Sequence, residues 1–147
     1  AIKSLGAIQY TEAASYLNNL VLSDSSQQER LAAIISLGQI KDQSSLPILE
    51  KALNDEEANI RWDAAISLTK MNSNKGIGII KKLLSRKYYS NYPNVDENEI
   101  NKTILTILAL VSKFPNSTFS DELTLLSKSD KNIKIREFSM KILSEHY

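Results

Sequence analysis

The sequence has no cysteine, one histidine (His146), four glycines and three prolines in 147 residues. Without cysteine the chain can form no disulfide, no thiol nucleophile and no cysteine-ligated zinc site. A single histidine near the end of the chain supplies neither a histidine-rich metal site nor a Ser-His-Asp triad. So few glycines and prolines favour long helices over an all-β fold with many turns. We therefore expect no catalytic residues, no metal site and no bound cofactor.

Two further absences concern membranes and nucleic acids. The chain has no run of about 18 apolar residues, so no membrane span is predicted. Its 18 Lys and Arg nearly balance 17 Asp and Glu, and a net charge of +1 provides no basic footprint for nucleic acid. We expect a soluble protein, and the compartment stays open with a slight preference for the cytoplasm.

An internal repeat is the main positive feature of the sequence. The block AIKSLGAI at residues 1–8 matches AIISLGQI at 33–40, and this second block matches AAISLTKM at 64–71. An acid followed six residues later by an arginine also recurs, as Asp24/Arg30, Asp55/Arg61 and Asp130/Arg136. A period of about 31–40 residues is typical of helical solenoids, in which each unit is a pair of helices.

The repeat predicts four helix pairs within one domain, 1–147, with repeats at about 11–40, 43–71, 74–114 and 117–147. The first helices are predicted at Thr11–Leu22, Ser45–Asn54, Asn74–Arg86 and Ser117–Lys128. The second helices are predicted at Ser26–Gln39, Glu57–Met71, Glu97–Phe114 and Lys131–Glu145. Capping-box patterns support two of these starts, Ser26-x-x-Glu29 and Asp96-x-x-Glu99.

Each second helix should bury one apolar face. Counted from the arginine, positions −1, +3, +7 and +10 are mostly apolar and fall on one face at 100° per residue. The leucines at position +7 should form parallel layers: Leu37, Leu68, Leu108 and Leu143. A partial helix at 1–9 aligns with the end of a second helix, so the first repeat is truncated. We expect a piece of a longer array, with a chain cut close to a repeat as the alternative.

These motifs resemble the HEAT-repeat family, including its short bacterial variants. The resemblance covers nearly the whole chain. It implies an all-α fold, a right-handed α-α superhelix, and a non-catalytic scaffold that binds a protein or peptide. It also implies that the acid closes the turn between paired helices and that the arginine forms a ladder with it. The third complete unit departs from the pattern, with Val95 at the acid position and Asn101 at the arginine position. We expect the ladder to be interrupted there.

Positions +1 and +5 of the second helices are candidates for partner binding. They lie roughly 160° from the buried seam and should face solvent. They are polar in the last two units but apolar in the first two, namely Leu31, Ile35, Trp62 and Ile66. A stripe that contains the single tryptophan, flanked by Asp63, is typical of a protein-binding patch. The alternative is that these side chains are ordinary core.

The insertion at 86–96 holds the second group of candidates, Tyr88, Tyr89 and Tyr92. Aromatic rings beside basic residues can stack on bases or hold a peptide. The alternative is an ordered loop whose tyrosines cover the gap left by the irregular unit.

Two enzyme classes with HEAT-like repeats provide the alternative function, bilin lyases and alkylpurine DNA glycosylases. Trp62 and Asp63 fit a glycosylase loosely, but the low net charge counts against nucleic acid as a partner.

Overall fold

The structure is a computed structural model that describes residues 11–23 and 26–147. Within these residues the chain forms α-helices and short 3-10 helices and contains no strand. The described chain falls into two compact units, the first ending at Ile79 and the second running from Ile80 to Tyr147. The predicted partial helix at 1–9 and the acid Asp24 lie outside the described residues.

The first unit consists of two helical hairpins. Helix α1 packs on α2, α3 packs on α4, and α2 lies along α4. A 3-10 helix precedes α3 at Gln43–Ser45, and another follows α4 at Asn74–Gly76. The four helices are α1 at Thr11–Leu22, α2 at Gln27–Ile40, α3 at Leu46–Ala52 and α4 at Ala58–Lys70.

The second unit repeats the hairpin and adds an irregular segment. Helix α5, Ile77–Leu83, leads into a 3-10 helix at Arg86–Asn91. Helix α8 packs against both α7 and α6. The remaining elements are α6 at Glu97–Lys113, a 3-10 helix at Ser117–Phe119, α7 at Ser120–Ser129 and α8 at Ile133–His146.

The predicted second helices are confirmed to within two residues at each end. Ser26 Oγ accepts the N–H of Glu29 at 3.2 Å, and Asp96 and Glu99 complete a reciprocal capping box at the start of α6. Both capping residues satisfy backbone donors that the first helical turn leaves without a partner.

The predicted first helices begin differently, because three of them open with a 3-10 turn. A short polar side chain caps each turn by accepting the N–H two residues further on. The three caps are Asp42, Ser73 and Asn116, which accept from Ser44, Lys75 and Thr118 respectively. The predicted helix Asn74–Arg86 was too long, since α5 ends at Leu83 and Arg86 starts the next 3-10 helix.

The expected seam of the second helices is buried. Leu37, Leu68 and Leu108 are all fully inaccessible to solvent, whereas Leu143 is half-buried. In α8 the fully buried side chains are instead Ile135, Ser139 and Ile142.

Helices α2 and α4 approach each other closely at Gly38. The Oγ of Ser67 donates a hydrogen bond to the carbonyl of Ile34 at 2.9 Å, and a Cβ on Gly38 would lie 2.5 Å from that Oγ. Both residues are buried. The absence of a side chain at Gly38 therefore allows the contact between these helices.

Replacing Gly38 tests this close approach. Gly38→Ala should lower the free energy of unfolding by about 1–3 kcal/mol, because the added methyl group must displace Ser67. Gly78→Ala is the matched control, since a Cβ there meets nothing within 4 Å, and it should raise the free energy by up to about 1 kcal/mol. Urea titration followed by circular dichroism measures the free energy of unfolding of both variants. Equal effects of the two variants would contradict the close contact between α2 and α4 at Gly38.

Candidate functional site

The turns between paired helices are built by the acid of the repeated motif. Asp55 Oδ1 accepts the N–H of Glu57 at 2.9 Å, and Asp130 Oδ1 accepts the N–H of Asn132 at 2.9 Å. This is the hydrogen bond by which an aspartate closes a turn onto its own backbone. The expected role of the acid is thus confirmed in both turns.

The arginine of the same motif stabilises the turn through the backbone. Arg61 Nη1 donates to the carbonyls of Asp55 at 2.8 Å and Glu56 at 3.0 Å, and Arg136 Nη1 donates to the carbonyl of Asp130 at 2.6 Å. The arginine thus binds backbone carbonyls of the turn that its own motif forms. The carboxylate of Asp55 instead lies 3.9 Å from Arg30, the arginine of the preceding repeat.

The expected break in the ladder at Val95 stays a prediction, but the break expected at Asn101 is wrong, because Arg86 fills the vacant role. Its Nε and Nη2 donate to the two carboxylate oxygens of Asp130 at 2.8 and 3.0 Å, and Nη2 also donates to Asn101 Oδ1 at 2.7 Å. Asp130 thus receives its guanidinium from the insertion rather than from the preceding second helix. Asn101 is polar and short enough to hold that guanidinium in place.

This pair also sets the protonation state of Asp130. Its side chain is 2% exposed, and burial by itself raises the pKa of a carboxyl group. The hydrogen bonds from Arg86 and from the N–H of Asn132, together with the charges of Arg86 and Lys131, outweigh burial and hold the pKa of Asp130 below its ordinary value. The carboxylate is therefore charged and paired at neutral pH.

The apolar row of the first unit consists of Leu31, Ile35, Trp62 and Ile66. All four side chains are half-buried, so they are less exposed than the helical geometry predicted. The corresponding side chains of the second unit are exposed and polar, namely Lys102, Thr106, Glu137 and Lys141. The same register thus carries a partly accessible apolar row in one unit and a solvated polar face in the other.

Asp63 lies beside this row and has an unusual environment. Burial raises its pKa from 3.8 to about 6, and the charge of Lys70 opposes the shift. Removing a carboxyl group from water disfavours its charged form, so its pKa rises. Asp63 therefore titrates just below neutral pH rather than in the acidic range.

The insertion is an ordered aromatic cluster. The ring of Tyr88 makes edge-to-face contacts with Tyr89 and Tyr92, at centroid distances of 5.8 and 5.3 Å, and the hydroxyls of Tyr88 and Tyr92 are 3.0 Å apart. Tyr89 is only 3% exposed and donates its hydroxyl to the carbonyl of Leu83 at 2.6 Å. Tyr89 is therefore a packing residue, and Tyr88 and Tyr92 remain half-buried candidates for contact with a partner.

Within the described residues no group of three or more acidic or imidazole side chains is arranged to hold a metal ion. No helix in the same part of the chain is long and apolar enough to cross a membrane. His146 lies in the last turn of α8, with Nε2 3.9 Å from the carboxylate of its neighbour Glu145. The single histidine therefore lies in the second unit, whereas Asp63, the carboxyl group with the raised pKa, lies in the first.

A comparison with protein families places these features in context. The model of a family described as HEAT repeats matches residues 17–91, just over half of the chain. A search of curated proteins finds no match. The matched segment includes α2 and α4, which carry the apolar row.

Removing Arg86 tests the relocated ladder. Arg86→Ala should lower the free energy of unfolding by about 2–3 kcal/mol, because it leaves the buried Asp130 carboxylate without its cation. This is less than a fully buried pair costs, since Arg86 keeps 22% exposure. Adding Asn101→Arg should recover most of the loss by restoring an arginine at the repeat position. Denaturant unfolding measures both variants, with Lys82→Ala as an exposed control. A double variant no more stable than Arg86→Ala would refute the claim that Arg86 takes the place of the arginine missing at Asn101.

Asp63→Asn tests the raised pKa. Because the folded-state pKa lies above the ordinary value, the folded protein holds the proton more tightly, and stability falls as pH rises from about 4 to about 6. The asparagine variant does not titrate, so its stability should not fall in this way as the pH rises. Its thermal midpoint should match that of the unmodified chain near pH 4 and exceed it above pH 6.5. A difference in thermal midpoint that stays constant with pH would show that the charged form of Asp63 does not destabilise the folded state.

Proposed function

The chain belongs to the HEAT-repeat family, and on this basis we propose that it is a non-catalytic scaffold module that binds a protein or peptide through the apolar row of its first unit. Members of this family are commonly protein-interaction scaffolds. The proposal assigns that role to Leu31, Ile35, Trp62 and Ile66 on α2 and α4. Asp63 lies at the edge of the row.

The observation that carries the proposal is the contrast between the two units. Apolar side chains at positions +1 and +5 remain partly accessible in the first unit, while the equivalent side chains in the second unit are polar and exposed. Partly accessible apolar side chains retain contact area that a partner can bury. A tryptophan is enriched among binding hot spots because one ring buries a large area with few rotatable bonds.

A second candidate, a nucleic-acid enzyme of the glycosylase kind, is favoured by one observation, the raised pKa of Asp63 next to Trp62. Perturbed carboxyl groups occur often at catalytic sites. The charge of the first unit opposes this candidate, because residues 1–79 contain nine acidic and seven basic side chains. A protein that binds the phosphate backbone needs the opposite balance. Salt-dependent binding to duplex DNA would support the enzyme, and its absence supports the scaffold.

Peptide selection against the intact chain tests the proposed surface. Peptides that are isolated from a random display library should bind Trp62→Ala and Ile66→Ser at least about tenfold more weakly, which corresponds to about 1.4 kcal/mol of binding free energy. Lys102→Ala and Thr106→Ser are the matched controls, because they change the same register positions in the second unit.

Circular dichroism of each variant separates lost contact from lost fold. Trp62→Ala should keep its helical spectrum and a cooperative thermal transition. If Ile66→Ser and Trp62→Ala both bind selected peptides as tightly as the controls do, the apolar row is not the binding surface.

A further inference from the structure

The second unit contains a cleft of about 270 Å³, the basic cleft. It lies where the end of α5 and the following 3-10 helix meet the C-terminal end of α7. Its lining includes Leu84, Arg86, Lys87, Leu125, Asp130 and Lys131. Pockets for small molecules and cofactors usually measure about 300–1,000 Å³, so this cleft is better matched to one or two side chains of a peptide.

The charge of the basic cleft is positive once its internal ion pair is counted. Asp130 is the one acid among the lining residues, and Arg86 binds both of its carboxylate oxygens. Lys87 and Lys131 then contribute two further cations at exposed positions, and Glu97, which is paired with Lys131, offsets one of them. A concave surface with an excess of one charge concentrates ligands of the opposite charge.

Glu97 shows where a carboxylate can sit beside this cleft. Its Oε1 lies 2.6 Å from Lys131 Nζ and 4.0 Å from Arg86 Nη1. Both Lys131 and Glu97 are more than half exposed, at 58% and 55%, and an exposed ion pair contributes little stability. An incoming carboxylate can therefore displace Glu97 at small cost.

Leu125 supplies an apolar contact at the same place. It is 64% exposed although it is a large aliphatic side chain. A ligand that combines a carboxylate with a neighbouring apolar side chain would satisfy both halves of the cleft. An acidic peptide segment has this chemistry, whereas a free inorganic anion lacks the apolar part.

The equivalent cleft of the first unit provides an internal comparison. It is lined by the corresponding ladder pair, Arg30 and Asp55, but Glu56 stands where the second unit has Lys131. Glu57 adds a further acid to that lining. With Lys51 included, that cleft has three acids against two bases, so it suits an acidic ligand less well than the basic cleft does.

We propose that the basic cleft docks an acidic segment of a protein partner, with one carboxylate replacing Glu97 beside Lys131 and Arg86 and an adjacent apolar side chain lying on Leu125. The proposal extends the protein-binding role to a second surface. It depends on the second unit alone and not on the apolar row.

An NMR titration of the intact chain with two synthetic peptides provides the test. One peptide alternates leucine with glutamate, and the control alternates leucine with lysine. The acidic peptide should shift the backbone amide signals of residues 84–87 and 125–131, and the basic peptide should not. Shifts confined to other parts of the chain would overturn the proposal.

Charge variants identify the residues responsible. Lys87→Glu combined with Lys131→Glu should weaken binding of the acidic peptide at least about fivefold, while the matched control, Lys102→Glu with Lys141→Glu, should weaken it much less. Glu97→Gln should strengthen binding about two- to fivefold, because the internal competitor loses its charge. Equal weakening by the two double variants, or unchanged affinity of Glu97→Gln, would overturn the assignment.

Two further variants separate this site from general attraction and from the apolar row. Leu125→Ser should weaken binding of the acidic peptide several-fold. An unchanged affinity would show that the peptide is held by charge alone and would overturn the proposed contact with Leu125. Trp62→Ala should leave affinity for the acidic peptide unchanged. Loss of that affinity in Trp62→Ala would place the peptide on the first unit and refute the second surface.

Discussion

The repeated turn between paired helices imposes the constraint on which the structure depends. The chain must leave one helix and enter the next within a few residues, and the carbonyls in that turn need hydrogen-bond donors. Arg61 and Arg136 supply them from the start of the second helix, and each reaches the carbonyl of the acid six residues before it. The acid side chain then remains available to the arginine that precedes it. One short motif thereby closes a turn and links consecutive hairpins.

Arg86 shows that Asp130 needs a guanidinium beside its carboxylate but does not need it at a fixed position of the repeat. The repeat has no arginine at Asn101, yet Asp130 still binds a guanidinium, which comes from the insertion. A buried carboxylate without a cation would be costly, so the inserted segment must place a positive charge there. The 3-10 helix at Arg86–Asn91 and the tyrosine cluster hold that segment in a defined conformation. The insertion therefore supplies a ladder residue within the second unit, and it also lines the basic cleft.

The sequence predicted the helices well because period, capping residues and apolar spacing agree, as at Asp96 and Leu68. It did not predict the 3-10 turns before the first helices, although Asp42, Ser73 and Asn116 share a capping chemistry that could have indicated them. Burial was harder to predict. A single-helix projection omits the rest of the fold, so it overestimated the exposure of Trp62 and Ile66, and it gave no sign that Tyr89 packs against Tyr88 and donates to Leu83. Arg86 escaped detection because its partner lies 44 residues away and outside the repeat register.

The ladder pair Arg86 and Asp130 has a structural role, because its hydrogen bonds hold the insertion and the turn before α8 together. A double-mutant cycle between Arg86 and Asp130 tests this most directly, with Arg86→Met, Asp130→Asn and the combined variant compared by denaturant unfolding. We expect a coupling free energy of about 1.5 kcal/mol or more, since the two residues form a bidentate and largely buried pair. Additive effects, with a coupling near zero, would contradict it.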